Sequence, residues 1–284
     1  MKEISFVKYS GTGNDFILID LSKNNFDKLS VDEISKLCAR HTGIGADGIL
    51  LFDKSKNNDF DVRYFNADGS TGSICGNGAR CAIHYAKEMN IVKNNNVHFS
   101  SNEKIFTGEL LENNIIKFNL EPPGKIILNK NLRMGKFAFS FSFADTGSPH
   151  IVIDITELIN IETGLCVSDQ LHELSVNKLG SEIRNNAAFA PEGVNVNFIQ
   201  YDENGLSMRT FERGVEAETL ACGTGAAAVA IIEAAKGLVD SPVSINTWGG
   251  DQLLIEFEIN NNIVNKLSLT GKAKQIYSGT VNTN

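Results

Sequence analysis

Two cysteines in this chain stand at the head of the same short motif. Cys75 begins Cys-Gly-Asn-Gly-Ala and Cys222 begins Cys-Gly-Thr-Gly-Ala, each directly ahead of helix-forming residues. The glycines permit a tight turn and close approach of a ligand, and the free N–H groups of the first helical turn point into the same space. A cysteine there sits at the positive end of the helix dipole, which favours its thiolate.

Two such motifs placed face to face have the parts needed to invert a stereocentre by proton exchange. One thiolate removes a proton from a carbon next to a carboxylate, and the other thiol returns a proton to the opposite face. The N–H groups of both helix starts stabilise the negative charge that spreads onto the carboxylate. The alternatives are a structural pair of cysteines and a redox pair that closes a disulfide between Cys75 and Cys222.

The cysteine motifs belong to a longer internal repeat. Residues 12–20, TGNDFILID, and residues 146–154, TGSPHIVID, are identical at five of nine positions, and they precede the two cysteine motifs in the same order. A similar strand lies ahead of each cysteine, with Arg63-Tyr64-Phe65 in the first half and Arg209-Thr210-Phe211 in the second. A duplication of this kind predicts two halves with one topology.

The elements of each half follow one plan. A strand pair opens the half, and a helix follows at Val31–Arg40, with a capping box at Ser30 and Glu33, or at Val176–Arg184. Strands such as Phe60–Phe65 and Leu206–Phe211 lead to the cysteine motif and a second helix, which at Ala226–Lys236 is apolar nearly all round and is therefore predicted to be central and buried. Strands within 104–120 and 253–269 close the halves.

The predicted fold is mixed α/β, with two pseudo-symmetric domains that each wrap a sheet or barrel around a central helix. Two prolines and a glycine at 122–124 interrupt the strand pattern, so we place the domains at 1–121 and 122–265. The segment 266–284 reads as a final strand that could return to complete the first domain.

Composition and charge narrow the classes of function. A formal net charge of −8 disfavours nucleic acid as a partner, and 42% hydrophobic with 21% charged residues is typical of a globular protein. The absence of an apolar run of about 20 residues predicts a soluble, cytoplasmic protein without a membrane partner. The five cysteines form no CxxC pair and the histidines show no ligand spacing, so no metal site is expected, and Cys38, Cys81 and Cys166 are predicted to be buried.

One glycine-rich segment looks like a nucleotide-binding loop. Gly43-Ile44-Gly45-Ala46-Asp47-Gly48 fits GxGxxG, but a predicted helix precedes it and a strand follows, which inverts the required context. We therefore interpret it as a turn.

At these residues the chain resembles the diaminopimelate epimerase family of pyridoxal-independent enzymes. The stretches that carry the resemblance are GTGNDF at 11–16, FNADGS at 65–70, CGNGARC at 75–81, PH at 149–150, GVNVNF at 193–198, FERG at 211–214 and ETLACGTGAA at 218–227. The resemblance implies two similar domains with the active site in the cleft between them, a homodimer, no cofactor, and interconversion of LL- and meso-2,6-diaminopimelate in lysine biosynthesis.

The resemblance also implies roles for individual residues. Cys75 and Cys222 match the catalytic pair; Glu212 matches a residue near the distal ammonium and one that shuttles protons with a thiol; His150 matches a histidine that works beside the other thiol. Arg213 suits the distal carboxylate, which its guanidinium can grip with two hydrogen bonds. The other substrate-binding matches are Asn14, Asn66, Gly76, Asn77, Asn195, Gly223 and Thr224.

The halves match at the cysteines and diverge elsewhere, since Asn66 aligns with Glu212 and Phe16 with His150. An asymmetric substrate in a pseudo-symmetric site requires such divergence. Gly48 and Ser148 depart from the family, because some relatives carry amide side chains near those positions, and neither residue is assigned to substrate.

Three rival functions differ in what they require. Proline and hydroxyproline racemases also use two cysteines, but Asn66, Asn195, Glu212 and Arg213 would be superfluous for their substrates. Isomerases that act on aromatic precursors replace one thiol with a carboxylate. A small-molecule binding module would carry structural cysteines and no activity.

Overall fold

The computed structural model describes residues 2–260 and 263–283. Its helices are α1 (Val31–Cys38), α2 (Gly76–Glu88), α3 (Val176–Arg184) and α4 (Gly223–Ala235). Its strands are β1 (Lys2–Gly11), β2 (Asn14–Asp20), β3 (Gly48–Asp53), β4 (Phe60–Asn66), β5 (Asn96–Ser101), β6 (Lys104–Leu110), β7 (Ile115–Leu120), β8 (Ile126–Met134), β9 (Phe137–Asp145), β10 (Pro149–Asp154), β11 (Leu158–Asn160), β12 (Leu165–Cys166), β13 (Asn195–Asp202), β14 (Gly205–Glu212), β15 (Ala217–Thr219), β16 (Val243–Thr247), β17 (Gln252–Asn260), β18 (Ile263–Lys272) and β19 (Lys274–Thr283). Short 3-10 turns occur at Leu21–Lys23, Glu112–Asn114, Ile155–Glu157, Leu171–Glu173 and Ala187–Phe189.

The described chain forms two compact units. Unit 1 contains residues 1–119 and 270–284, and unit 2 contains residues 120–269. No described helix is long and apolar enough to cross a membrane.

In unit 1 the strands surround α2. β1 pairs antiparallel with β2, β2 pairs parallel with β3 across α1, β3 pairs antiparallel with β4, and β4 pairs parallel with β5 across α2. β6 and β7 extend the sheet antiparallel, and β19 pairs antiparallel with β1. The helix is buried from Gly76 to Ala86, which places its first turn inside the unit.

In unit 2 the same connections surround α4. β9 pairs antiparallel with β10, β10 pairs parallel with β13 across α3, β13 pairs antiparallel with β14, and β14 pairs parallel with β16 across α4. β17 continues antiparallel to β16. This order of parallel and antiparallel pairs repeats that of unit 1, so the mixed α/β fold and its duplication are confirmed.

The composition of α4 explains its central position. Its sequence is almost entirely Ala, Gly, Val and Ile, and the core around it is formed by side chains of the surrounding strands, including Val152, Ile199, Met208 and Ile245. Small side chains let the strands approach the helix closely, so the apolar area of both is removed from water.

Several predicted boundaries require correction. α1 has the predicted capping box, but it ends at Cys38 and not at Arg40, because Gly43 folds back to donate to the Ala39 carbonyl at 2.9 Å. A β-carbon at Gly43 would lie 2.1 Å from the Lys36 carbonyl oxygen, so the turn depends on glycine. The second-half central helix begins at Gly223, three residues before its predicted start, since the Cys222 carbonyl already accepts from the Ala226 N–H at 2.8 Å.

The end of the chain also differs from the prediction. The last segment forms two strands, β18 and β19, with Ala273 between them, where one final strand was expected. Residues 261 and 262, inside the predicted strand segment 253–269, lie outside the described residues, as do residues 1 and 284 of the predicted domain spans.

Candidate active site

Cys75 caps the N-terminus of α2. Its backbone is extended, with φ −84° and ψ 160°, and its Sγ accepts a hydrogen bond from the Gly78 N–H at 3.4 Å. The side chain is half-buried. The sulfur therefore lies at the positive end of the helix, next to the N–H groups of its first turn, as the motif predicts. We call residues 75–78 the α2 start.

A chain of side-chain amides runs beside the α2 start. The Asn77 amide nitrogen donates to the Asn14 oxygen at 2.5 Å, and the Asn14 nitrogen donates to an Asp47 carboxylate oxygen at 3.0 Å. The buried Arg80 guanidinium donates to the Asn77 oxygen and to the Thr12 hydroxyl, both at 2.8 Å. Because a carboxylate can only accept and a guanidinium can only donate, these ends fix the orientation of both amides.

An ion cluster holds the Asp47 end of that chain. Arg40 donates to Asp15 at 2.9 and 3.1 Å and to Asp47 at 2.5 Å, and the buried Lys8 ammonium pairs with Asp15 at 2.7 Å and donates to the Gly45 carbonyl. Burial by itself raises the pKa of Asp15, but hydrogen bonds and positive charge from Arg40 and Lys8 outweigh it and hold that pKa below its ordinary value. The glycine-rich turn at 43–48 thus contributes Asp47, whose carboxylate holds Asn14 in place, and is not a nucleotide-binding loop.

Asn66 lies at the end of β4 and is half-buried. Its amide nitrogen donates to the Ser70 hydroxyl at 2.9 Å, and its backbone N–H donates to the Ser70 carbonyl at 2.9 Å. These two hydrogen bonds hold the Asn66 side chain against the turn after β4 and so fix the position of its amide oxygen.

Cys222 caps the N-terminus of α4, and we call residues 222–225 the α4 start. Only 7% of Cys222 is exposed, and its Sγ lies 3.5 Å from the Thr224 hydroxyl oxygen. Burial and the negative charge of Glu212 raise the pKa of the Cys222 thiol well above its ordinary value, while the Thr224 hydroxyl opposes that rise. The Thr219 hydroxyl donates to Glu212 at 2.7 Å and so orients the carboxylate beside this thiol.

His150 is fully buried on β10 of the same unit. Its Nε2 lies 2.9 Å from the Thr224 hydroxyl oxygen and 2.9 Å from the Ser148 hydroxyl oxygen, and its Nδ1 lies 3.2 Å from the Asn197 amide nitrogen. Burial, together with the positive charge of Arg213, lowers the pKa of His150 to about 3. The imidazole is therefore neutral at physiological pH and reaches Cys222 through Thr224.

Asn195 joins the parts of unit 2 that were predicted to bind substrate. It pairs with His150 in the parallel register of β10 and β13, its nitrogen donates to the Pro149 carbonyl at 2.9 Å, and its oxygen accepts from the Arg213 N–H at 2.9 Å. The Arg213 guanidinium is half-buried and donates to the Glu192 carbonyl at 3.3 Å.

The two departures from the family pattern differ in their structural setting. A β-carbon at Gly48 would lie 2.5 Å from the Phe65 carbonyl oxygen and 2.6 Å from the Tyr64 ring, so no side chain fits there. Ser148, which was assigned no role, contacts His150 and lies 3.4 Å from the Thr224 hydroxyl. Cys38 and Cys81 are buried as predicted, but Cys166 is half-buried and donates to the Thr156 carbonyl at 3.4 Å.

Sequence reasoning missed the residues that hold the site residues in place. Asp47 lies in a turn that the sequence marks only by its glycines. Arg80 and Thr219 lie inside the family motifs without a chemical signal of their own, and Ser148 stands out only as a departure from the family. Asn197 did carry one, because it lies two residues after Asn195 on the same strand and so points to the same face.

Solved structures with the same fold come from several kinds of protein. The chain matches a probable proline racemase from Agrobacterium radiobacter K84 with a TM-score of 0.72 at 14% identity, over 99% of this chain and 93% of that one. It matches a PhzF-family phenazine biosynthesis protein from Bacillus anthracis with a TM-score of 0.71 at 14% identity, over 100% of both chains. The fold and its duplicated helix starts therefore define a protein of the proline racemase and PhzF-like fold class.

Sequence relatives narrow that class. The chain is 38% identical over 288 residues to diaminopimelate epimerase from Aquifex aeolicus (strain VF5), covering 97% of each, and 39% identical over 284 residues to that from Hydrogenobaculum sp. (strain Y04AAS1), covering 96% of each. The family model for diaminopimelate epimerase matches residues 6–124 and 142–276. The chain therefore belongs to the diaminopimelate epimerase family and is an enzyme of the isomerase class.

Proposed function

We propose that the protein interconverts LL-2,6-diaminopimelate and meso-2,6-diaminopimelate in lysine biosynthesis. The observation that carries this proposal is the pair of cysteines that cap equivalent helices in a duplicated topology, in a chain that aligns with this family over nearly its whole length. A single cysteine at a helix start would serve many functions, whereas two at equivalent positions suit removal and return of one proton.

The reaction runs through the two sulfurs. In one direction the thiolate of Cys75 takes the α-proton from one face of the substrate, and the thiol of Cys222 gives a proton to the other face; in the reverse direction the roles exchange. The raised pKa of Cys222 keeps that residue protonated before the reaction, which suits a proton donor. Glu212, oriented by Thr219, exchanges the proton of Cys222 with solvent or substrate groups between turnovers.

The backbone N–H groups of the two helix starts bind the carboxylate at the reacting centre, through Gly76, Asn77, Gly223 and Thr224. Negative charge that develops on this carboxylate is stabilised there without reorganisation of the protein. Arg213 binds the distal carboxylate and Glu212 lies near the distal ammonium. Asn14, Asn66 and Asn195 bind the remaining polar groups of the substrate. The chemistry needs no pyridoxal phosphate or metal, since the sulfurs carry the proton.

Deuterium exchange tests the proposal directly. Wild-type protein incubated with diaminopimelate in heavy water is expected to place deuterium at the α-carbon as the isomers interconvert, as read by NMR and mass spectrometry. Cys75→Ala and Cys222→Ala each abolish the interconversion and the exchange that accompanies it, because each removes one of the two proton carriers. Cys166→Ala is the matched control and keeps full exchange.

Substrate choice separates this function from its rivals. Both diaminopimelate isomers, proline and hydroxyproline are offered to the wild-type protein in the same assay. Turnover of proline alone would identify a racemase of the other kind, and exchange that persists undiminished in either alanine variant would end the two-thiol mechanism.

We propose further that the enzyme works in the cytoplasm as a homodimer. The support is the family to which the chain belongs. Light scattering on the purified protein checks the dimer, which is expected at about twice the chain mass of 30.9 kDa; a monomer at working concentration contradicts it.

A further inference from the structure

A chain of hydrogen-bonding groups runs from Cys222 through Thr224 and His150 to Asn197. Asn197, which lies outside the assigned site, determines which groups in this chain donate and which accept. Asn197 is fully buried on β13, between β10 and β14. Its amide nitrogen donates to the Ile151 carbonyl at 2.8 Å, and its amide oxygen accepts from the Thr210 hydroxyl at 3.0 Å. A backbone carbonyl can only accept, so the nitrogen of the Asn197 amide must be the atom that faces Ile151.

The same nitrogen faces the ring of His150. The distance from the Asn197 nitrogen to Nδ1 is 3.2 Å, and the second amide hydrogen points there because the first is engaged by Ile151. Nδ1 must then accept. Since the imidazole is neutral, its one hydrogen is on Nε2.

We propose that Asn197 is a positioning residue for the epimerisation: by holding His150 in its Nε2–H form, it leaves the Thr224 hydroxyl to donate to the Cys222 sulfur. This inference rests on the proposed function, in which Cys222 carries the proton.

The geometry around Nε2 shows why the tautomer matters. The hydroxyl oxygens of Thr224 and Ser148 both lie 2.9 Å from this nitrogen. When Nε2 carries the hydrogen, neither hydroxyl can donate to it, and the Thr224 hydrogen is available for the sulfur 3.5 Å away. When Nε2 is bare, it competes for that hydrogen, and the thiolate of Cys222 loses a donor in a buried setting where an unpaired charge is costly.

The α4 start packs closely against the Asn197 amide at Gly225. A β-carbon added at Gly225 would lie 2.5 Å from the Asn197 oxygen and 3.4 Å from its amide carbon. The second glycine of the cysteine motif therefore leaves room for this amide.

The first experiment reads the tautomer in the wild-type protein. With the histidine rings labelled with nitrogen-15, long-range proton–nitrogen correlation spectra at neutral pH show which ring nitrogen carries hydrogen, and His150→Gln identifies the signal among the five histidines. We expect hydrogen on Nε2 of His150. Hydrogen on Nδ1 overturns the proposal without any variant having to fold.

The second experiment replaces the donor that faces Nδ1 with an acceptor. In Asn197→Asp the nearest side-chain atom is an acceptor, so the ring is expected to move its hydrogen to Nδ1, and kcat for diaminopimelate is expected to fall about a hundredfold. KM should change little, because Asn197 touches no predicted substrate group. Asn195→Asp is the matched control for the tautomer: the same substitution two residues earlier on the strand leaves hydrogen on Nε2.

A milder variant covers the case in which a buried aspartate prevents folding. Thr210→Val keeps the shape of the side chain but removes the donor that holds the Asn197 oxygen, and it should lower kcat about fivefold with KM unchanged. Either of two results overturns the positioning role. The first is a variant in which KM changes and kcat does not; the second is an Asn197→Asp protein that has hydrogen on Nδ1 and wild-type kcat. Failure of the wild-type protein itself to act on diaminopimelate would instead remove the proposed function, so the two failures are distinct.

Discussion

Charged groups hold the polar side chains around the α2 start, whereas neutral groups hold one another behind the sulfur at the α4 start. Asn14 and Asn77 lie between Asp47 and Arg80, and Asp47 is tied to a further ion cluster. Beside Cys222, the sequence of partners is Thr224, His150 and Asn197, with no formal charge among them. The two regions share one backbone topology and differ in what surrounds it.

The difference corresponds to two tasks. Strong charge-assisted hydrogen bonds keep two amides rigid, which suits residues that only hold a substrate. A neutral chain of hydroxyl and imidazole groups can reorient its hydrogens at small cost, which suits a region where a buried thiol must both lose and regain a proton. Both halves keep a cysteine at the start of the central helix, and they differ in the groups that surround it.

The largest expected effect tests whether ion pairs stabilise the surroundings of the α2 start but not those of the α4 start. Asp15→Asn should lower the free energy of unfolding by about 3 kcal/mol at pH 6, because it leaves the buried Lys8 ammonium without its carboxylate partner. The folded-state pKa of Asp15 is lowered, so the contribution is present above the ordinary carboxyl pKa of about 4 and disappears as pH falls through the folded value. Denaturant unfolding curves at several pH values measure this.

The neutral region supplies the comparison for that experiment. Thr210→Val should cost about 1 kcal/mol, and the cost should be the same at pH 6 and at about pH 4.5, because its partner Asn197 carries no charge and the pKa of His150 is about 3. Glu203→Gln, at an exposed turn, controls for the loss of any carboxylate. A pH-independent cost for Asp15→Asn, or a pH-dependent one for Thr210→Val, contradicts the division into charged and neutral regions.

The second prediction concerns the glycines two residues into each central helix, which the repeat makes equivalent. Gly225→Ala should destabilise the protein by about 2 kcal/mol, because its β-carbon would lie 2.5 Å from the Asn197 oxygen. Gly78→Ala should cost nothing or stabilise by up to about 1 kcal/mol, because its β-carbon would meet only ordinary contacts at 3.4 Å from Leu50 and 3.6 Å from Phe16. Thermal unfolding of the pair measures both; equal costs would show that Asn197 does not crowd the α4 start.

The third prediction compares the two sulfurs. Cys75 is half-buried and accepts the Gly78 N–H, whereas Cys222 is 7% exposed with a raised pKa, so iodoacetamide should modify Cys75 at least about tenfold faster in the free enzyme. Peptide mass spectrometry over a time course gives both rates. Cys81, which is fully buried, should remain unmodified and reports on unfolding. Faster reaction at Cys222 would reverse the proposed assignment of resting protonation states.

These regions also show how far sequence reasoning reaches. The duplicated motifs predicted the mixed α/β fold, the two central helices and the cysteine caps, since each depends on local signals such as glycine spacing and capping residues. The partners of those residues depend on tertiary packing: His150 meets Asn197 because β10 lies parallel to β13 with His150 opposite Asn195, and it meets Thr224 because the first turn of α4 packs against β10. A sequence shows neither that register nor that the predicted turn at 43–48 brings Asp47 to Asn14.

The smallest expected effect separates Glu212 from its repeat partner Asn66. Glu212 accepts a hydrogen bond from the Thr219 hydroxyl at 2.7 Å, and Asn66 donates a hydrogen bond to the Ser70 hydroxyl at 2.9 Å. Thr219→Val should lower kcat about fivefold with little change in KM, because it removes a hydrogen bond worth about 1 kcal/mol that orients Glu212, the group proposed to exchange protons with Cys222.

Ser70→Ala should instead raise KM about threefold and leave kcat near its wild-type value, because the Asn66 amide can bind substrate but cannot act as an acid or base at neutral pH. Steady-state kinetics in both directions measure the pair of variants. Thr219 is the last residue of β15 and Ser70 follows the turn after β4, so each variant removes one hydroxyl beside Glu212 or Asn66 without altering either helix start. A fall in kcat for Ser70→Ala equal to that for Thr219→Val would show that Asn66 and Glu212 do not differ in their effect on the chemical step. The divergence of Asn66 from Glu212 would then reflect substrate shape alone.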